Sequence, residues 1–338
     1  MYKRQILIGE LVDPSMSSIV CPGNKVQLVG IIKERENKTM KGIKIIASDF
    51  IFYPISIKPI EQTFQKIEVS SEEKEKILEL SHQKDLVQQL IASIAPQIYG
   101  YEDLKYALLL QQFGGTPSAK RSDIHILVVG STGLGKTQLA RTMVKLAPKG
   151  VYVTGTSASR VGLTASVTHN SEGWMLEAGA IPLANNGFIV IDEIDKLTNK
   201  EDTAALHEVL ETGQVVVNKA NIHATLSAKV SLLAVANPKL GVLNHNEPLI
   251  NQIDLLPSLV NRFDLVFFLT GDQTDEEQLH IAKTLFAEKE STLKPDLVRK
   301  YIAYAKQNVF PKFSEEAENL LTNFYLDLRH QASNLEYT

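Results

Sequence analysis

The 338 residues of this chain leave room for two domains, one of them large. With 44% hydrophobic and 22% charged residues it has the make-up of a soluble globular protein. A formal net charge of −4 gives no global nucleic-acid signature, so any contact with DNA has to come from a local cluster. Cys21 is the only cysteine; this excludes a disulfide within the chain and a cysteine-based zinc site, and Cys21 itself reads as a small buried hydrophobe. No apolar run reaches membrane length, and Lys3, Arg4 and Glu10 interrupt the start where a signal peptide would be apolar. The expectation is a soluble, intracellular protein without a membrane partner.

Residues 1–67 alternate apolar and polar residues in short runs. Val26–Ile32 and Gly42–Ser48 read as strands, with turns at Pro22-Gly-Asn24 and Glu36-Asn-Lys38. This all-β piece is too short and too abruptly begun for a complete barrel, and is expected to start inside a domain. Ser70-Ser-Glu-Glu73 has the capping-box spacing and opens a charged linker helix, placed over 68–92. The more apolar stretch Leu86–Leu110 ends at the helix-stopping glycines Gly114 and Gly115.

From Ile124 the chain takes on a strand–helix rhythm, with apolar strands predicted at 124–129, 151–154, 187–191, 231–236 and 264–269. That pattern predicts an α/β fold with a parallel sheet covered by helices on both faces, whose ligand sits at the carboxyl ends of the strands. From 274 onward the pattern is helical only. Thr274-Asp-Glu-Glu277 caps the first helix, Lys294-Pro-Asp starts a second, and Ser314-Glu-Glu starts a third that carries Phe324 and Leu328.

The first buried strand runs into Gly130-Ser-Thr-Gly-Leu-Gly-Lys-Thr137, which fits the phosphate-binding pattern G-x-x-x-x-G-K-[ST] and is followed by an amphipathic helix. Gly130, Gly133 and Gly135 are expected to take positive φ, letting backbone N–H groups, with those of Ser131, Thr132 and Leu134, converge on an anion at a helix N-terminus. Lys136 would reach the β- and γ-phosphates of a nucleotide, and the Thr137 hydroxyl would take one Mg²⁺ position. The bland alternative is a glycine-rich turn. A second buried strand ends in Asp192 and Glu193, suited to holding Mg²⁺ through water and to activating an attacking water, against a surface acidic turn as the alternative. A third ends in Asn237, placed either to hydrogen-bond the γ-phosphate or the water, or simply to make a turn before Pro238. Arg262 precedes the last strand; it suits an arginine finger inserted into a neighbour's site, or a surface arginine paired with Asp264.

The order of these motifs resembles the AAA+ ATPases, and the residues between them resemble the minichromosome maintenance (MCM) replicative helicases. The resemblance is carried by Ser93-Ile-Ala-Pro-Gln-Ile-Tyr-Gly100, Ala147-Pro-Lys-Gly-Val-Tyr152, Val161-Gly-Leu-Thr-Ala165, Leu176-Glu-Ala-Gly-Ala180, Ile191-Asp-Glu-Ile-Asp-Lys196, His207-Glu208, Asn237-Pro238 and Arg262-Phe-Asp264. It covers roughly 70–338. Pro22–Gly30 is similar to the last strands of the family's N-terminal OB-fold domain. The resemblance implies three units: 1–67 as a partial OB-like β segment, 68–92 as the linker helix, and 93–338 as an AAA+ domain incomplete at its C-terminus.

It further implies ATP and Mg²⁺ as cofactors and a homo-hexameric ring in which Lys136, Thr137, Asp192, Glu193 and Asn237 act in cis and Arg262 in trans. Two insertions follow from it: a helix-2 insert around Gly162–Gly173, and a hairpin over Gln214–Leu226 like the pre-sensor-1 hairpin. Lys219, on the polar tip of that hairpin, would grip single-stranded DNA in the ring channel; read from the residues alone it is a solvated tip. Six copies would make a positive collar on a net negative chain.

The implied function is an ATP-dependent helicase motor of DNA replication working with other replication proteins. Its expected location is cytoplasmic and nucleoid-associated if the chain is archaeal, or nuclear if eukaryotic; an archaeal-type fragment is the expectation. The loop departs from the family's usual Asp-Pro after the first glycine and Ala-Lys-Ser at the end, and Asn261 replaces a serine. The chain also ends before the family's sensor-2 arginine helix and lacks its zinc ribbon, and Arg329 takes no sensor-2 role. The alternatives weighed are a non-helicase remodeller with the same insert, of magnesium-chelatase or MoxR type, and a non-catalytic DNA-binding ring subunit. An enhancer-binding activator is set aside because its Gly-Ala-Phe-Thr-Gly-Ala loop is missing.

Overall fold

The computed structural model describes residues 26–36, 48–59, 64, 67–116, 121–170, 173–197, 200–219, 222–244, 247–271, 274–286 and 291–335. Near the N-terminus, β1 (Val26–Glu36) pairs antiparallel with β2 (Ser48–Pro59), with a register shift between Val29 and Gly30. A side chain on Gly30 would collide with the Tyr53 carbonyl oxygen, so the shift falls where glycine permits the close approach. β1 fulfils the expected strand and extends it. β2 is an addition: a strand through Pro54 is readable only once its partner is known, since Pro54 stands opposite Gly30 at the irregularity, where the ladder tolerates a missing N–H. Cys21, the turn at 22–24 and the strand predicted at 42–48, apart from Ser48, lie outside the described residues.

The predicted linker helix is two helices. α1 (Ser71–Ser81) carries the expected capping box: Ser70 Oγ accepts from Glu73 N (3.3 Å) and Glu73 Oε2 accepts from Ser70 N (3.1 Å). It ends because the polar run from Ser81 to Asp85 offers no apolar side chain to the core, while Ser81 Oγ and His82 Nδ1 both bond the Leu78 carbonyl. α2 (Leu86–Ser93) and α3 (Glu102–Phe113) follow, and Gly114 closes α3 with φ of 64°.

The predicted parallel sheet is present. It contains β3 (Ile126–Gly130), β4 (Gly150–Thr154), β7 (Gly187–Asp192), β10 (Val230–Ala236) and β11 (Leu265–Leu269), in the order β11-β3-β10-β7-β4. Side chains alternate between its faces. Ile126, Val128, Val190, Leu233 and Val235 meet α2, α3 and the helix α4 (Lys136–Leu146) on one side. Leu127, Val129, Ile189, Ile191, Leu232 and Ala234 meet α7 (Lys200–Thr212) and α8 (Pro257–Val260) on the other. Burial on both faces is why these strands read as unbroken apolar runs. α4 turns Leu139, Ala140, Met143 and Leu146 inward at helical spacing, each large side chain contributing about 1.5–3 kcal/mol of burial.

Two hairpins rise from this core. α5 (Arg160–Leu163) leads into β5 (Ala165–Asn170) and β6 (Gly173–Ala178), followed by α6 (Ala180–Leu183). This is the insertion expected around 162–173, reaching to 178. β8 (Gln214–Lys219) and β9 (Ile222–Ser227) form the second expected hairpin, and the two lie against each other. The helical end comprises α9 (Asp275–Phe286), α10 (Pro295–Asn308) and α11 (Glu315–Leu335), with the predicted caps at Thr274, Lys294 and Ser314. Phe324 and Leu328 on α11 are exposed.

The lower end of the sheet is tied by His125. Its backbone N–H donates to Asp264 Oδ2 (2.8 Å), its carbonyl accepts from Asp264 N (2.8 Å), and its ring Nδ1 accepts from Leu232 N (3.3 Å). Burial, then the nearby Arg121 charge, lowers the His125 pKa from 6.5 to about 4. Above pH 6.5 the ring is neutral in both folded and unfolded chains. Between 6.5 and about 4 only the unfolded chain takes up the proton, so stability falls as pH falls through that window, by roughly 3 kcal/mol at most. Chemical denaturation of wild type and His125→Asn across pH 4–7.5 should show a shallower acid decline in the variant; parallel curves would remove His125 as the cause.

Candidate functional site

The C-terminal ends of three neighbouring strands assemble the site. β3 delivers the loop Gly130–Thr137, β10 delivers Asn237, and β7 delivers Asp192 and Glu193. The registers Val129 with Ala236 and Ala234 with Ile191 bring these ends level. The strand spacing puts the loop and the carboxylates about 10 Å apart, with Asn237 between them.

Gly133 and Gly135 take positive φ, 88° and 76°, as expected, and turn the loop into the N-terminus of α4. Gly130 does not. It is the last residue of β3, and its constraint is space: a Cβ there would lie 2.9 Å from Leu269 of the adjacent strand. Ile98 lies over Gly135, and Lys105 Nζ donates to the Ile98 carbonyl (2.6 Å), fixing the 93–100 segment against the loop. Ser131, Leu134 and Gly135 are half-buried, and Thr132, Gly133 and Thr137 are exposed.

Lys136 is 7% exposed, and its ammonium donates to the carbonyls of Gly130 and Ser131, 2.6 Å each. Burial lowers its pKa, and the charges of Asp192 and Asp195 oppose that shift. Asp192 is 4% exposed; its Oδ2 accepts from the Tyr152 hydroxyl (2.5 Å) and its Oδ1 from Glu193 N (3.0 Å). Burial, and then the bond to Asp192, pushes the Tyr152 phenol up. Glu193 sits in the left-handed region with φ of 55°, rare for a residue with a long side chain. Gly155 faces it so closely that a Cβ would collide with the Glu193 carbonyl oxygen. Asp195, buried, accepts from Asn237 N (3.0 Å) and pairs with Lys196 (3.3 Å).

Tyr152, Gly155 and Asp195 were given no role by the sequence. Asp195 could have been suspected as another carboxylate two residues past Glu193; Tyr152 and Gly155 become visible only once β4 is known to lie beside β7. Among the described residues no cluster of three or more His, Cys, Asp and Glu could hold a metal ion. Thr137, exposed at the start of α4, and the buried Asp192 at the end of β7 lie at the same edge of the sheet, an arrangement that fits an ion taking part of its ligands from phosphate and water.

Arg262 stands apart from this cluster. It precedes β11, next to the start of β3, and the five residues of β3 separate it from the loop by about 17 Å along the strand. The pairing with Asp264 considered above does not occur. Asp264 is taken by Arg121 and by His125 N, because it sits at the strand start where those groups converge. Arg262 Nε instead donates to His207 Nε2 (3.2 Å), and its Nη2 pairs with Glu211 Oε2 (2.9 Å). Lys219 is exposed at the end of β8 opposite Ile222; residues 220–221 lie outside the described residues. A cavity of about 380 Å³ opens at the opposite end of the sheet, among Gln112, Gly187, Ser231 and Lys306, and includes none of the predicted site residues.

A family model described as the MCM P-loop domain matches residues 73–289, and one described as the MCM AAA-lid domain matches 296–338. The chain belongs to the MCM family. The minichromosome maintenance protein MCM of Saccharolobus solfataricus is 36% identical over 97% of this chain and 48% of its own length. The DNA replication licensing factor MCM4 of Arabidopsis thaliana is 32% identical over 91% of the chain and 40% of its own length. The licensing factor Mcm2 of Drosophila melanogaster is 32% identical over 98% and 40%. The chain thus spans about half or less of the length of these relatives. The MCM matches set aside the magnesium-chelatase and MoxR readings, and the MCM P-loop domain implies nucleotide binding. Among the described residues no helix is long and apolar enough to cross a membrane.

Gly155→Ala should displace the Glu193 peptide and leave the loop untouched. Nucleotide turnover should fall about 100-fold, the scale of an ångström-sized misplacement, while fluorescent-nucleotide titration shows near-normal affinity. Equal loss of both would place Gly155 in the fold rather than in the alignment of Glu193.

Proposed function

We propose that this chain is the motor segment of an ATP-dependent DNA helicase of replication, working as a hexameric ring of identical subunits whose ATP sites lie between neighbours. One observation supports it most. The loop, Asp192, Glu193 and Asn237 meet at one end of the sheet, whereas Arg262, the cation suited to complete such a site, lies at the other end. A finger so placed can serve only a neighbour's nucleotide, and head-to-tail contacts of that kind close into rings.

In this reading the loop amides and Lys136 bind the β- and γ-phosphates. Thr137 and Asp192 would hold Mg²⁺, the latter through water, and the ion would neutralise charge on the phosphate oxygens. Glu193 orients the attacking water and takes its proton, and Asn237 hydrogen-bonds the γ-phosphate or the water. Arg262 of the adjacent subunit stabilises the charge developing on the transferred phosphoryl group, worth about 10³–10⁵ in rate. Lys219, repeated around the ring, contacts the phosphates of single-stranded DNA in the channel. Relatives named DNA replication licensing factors support a place in DNA replication; the partners would be other replication proteins, and the location nuclear if the chain is eukaryotic, cytoplasmic and nucleoid-associated if archaeal.

Lys136→Ala and Arg262→Ala subunits should each be inactive alone in steady-state ATPase assays. Mixed in equal amounts they should regain activity, because roughly one interface in four then pairs an intact Lys136 with an intact Arg262. No recovery on mixing would overturn the shared site. Lys219→Ala should keep basal ATPase within about twofold, and should weaken single-stranded DNA binding with a shallower salt dependence. Unchanged DNA affinity would remove Lys219 from the interface.

A further inference from the structure

Arg262 is held by one face of α7. His207 and Glu211 are four residues apart, so they present neighbouring side chains on the same helical surface. His207 Nε2 accepts from Arg262 Nε at 3.2 Å, and Glu211 Oε2 pairs with Nη2 at 2.9 Å. Nε and one Nη form a single long edge of the planar guanidinium. An arginine gripped by that edge keeps the N–H groups at its tip, on Nη1 and the outer side of Nη2, in the fork geometry that suits two oxygens of a phosphate.

We propose, resting on the reading that Arg262 serves the neighbouring ATP site, that His207 and Glu211 are positioning residues that clamp the side of the Arg262 guanidinium and present its tip to the transferred phosphoryl group. The exposure of the pair argues for this role over a structural one. The side chains of Arg262 and Glu211 are 34% and 51% exposed, and an ion pair that open to water adds little to folding stability. Its effect is on direction. A long flexible side chain is confined to one heading before any nucleotide arrives, which is the condition under which a positioned charge accelerates a reaction. The His207 ring supplies an acceptor for Nε without placing a second carboxylate beside the guanidinium.

The test is steady-state ATP turnover by the full chain, at concentrations where the rate per subunit is constant, for Arg262→Ala, Glu211→Ala, Glu211→Gln, His207→Ala and the Arg262→Ala/Glu211→Ala double variant. Glu211→Ala should lower kcat about 10- to 100-fold with KM within about twofold, since a loosened finger costs rate rather than nucleotide affinity. Glu211→Gln keeps an acceptor at the same reach and should restore most of the rate. His207→Ala should show a smaller loss of the same kind. The double variant should be no slower than Arg262→Ala, because a clamp has nothing left to position. If Glu211→Ala melts below the assay temperature, Glu211→Asp, which draws the acceptor back by one methylene, should give the same slow kcat. Unchanged or faster turnover in Glu211→Ala, with Arg262→Ala slow, would overturn the clamp and leave the shared site standing. Full activity in Arg262→Ala would overturn the shared site itself. Additive losses in the double variant would place Glu211 in some other task.

Discussion

A buried ammonium sets the terms for the rest of the site. Lys136 is almost wholly withdrawn from water, and its charge is tolerated because two loop carbonyls accept from it and the charges of Asp192 and Asp195 oppose the cost of burial. Each of those compensating groups depends on something further away. Asp192 is braced by Tyr152 from the strand on its far side, and Asp195 is braced by the backbone of Asn237 from the strand on its near side. Three strand ends are thereby linked through a few hydrogen bonds, and displacing one would be felt by all. A parallel sheet is what makes this possible, since it delivers every strand's carboxyl end to the same edge.

The opposite edge has its own logic. Gln111 Nε2 donates to the carbonyls of Ile124 and Leu232, and His125 and Asp264 stitch β3 to β11. These bonds hold the strand starts in register and fix the chain that precedes β11, where Arg262 emerges. The relative height of the two ends is a property of the sheet, so the distance between the loop at Gly130–Thr137 and Arg262 of the same chain is effectively rigid.

What could be read from the sequence was what is local or periodic. The caps at Ser70 and Thr274 need four residues, and the buried strands announce themselves as apolar runs because both faces are covered. The loop and the Asp-Glu pair were legible for the same reason, and the hairpin around Lys219 through the family resemblance. Partners distant along the chain were not. Tyr152 owes its place beside Asp192 to the strand order, which no local pattern encodes. Arg262 has an acidic neighbour two residues away in sequence, yet it pairs with residues 55 and 51 positions earlier, because Asp264 is claimed by Arg121 and the His125 backbone. Gly130 was expected to be a conformational glycine and is a steric one. The difference lies in Leu269, supplied by a strand more than a hundred residues downstream. The break at His82 was missed because helix resumes after a short polar run, and the side chains that bond back to Leu78 and help end the first helix are visible only in the fold.

Glu193 carries a consequence of a different kind. Its left-handed backbone disfavours a long L side chain by about 1–2 kcal/mol, and Gly155, lacking a Cβ, leaves room for the Glu193 carbonyl in that conformation. The folded chain therefore keeps a carboxylate at a place where glycine or asparagine would sit more comfortably. Selection for heat resistance alone would act against the carboxylate at 193, and laboratory evolution that scored only soluble protein would favour losing it. With the role proposed for Glu193, endurance and turnover pull one position in opposite directions.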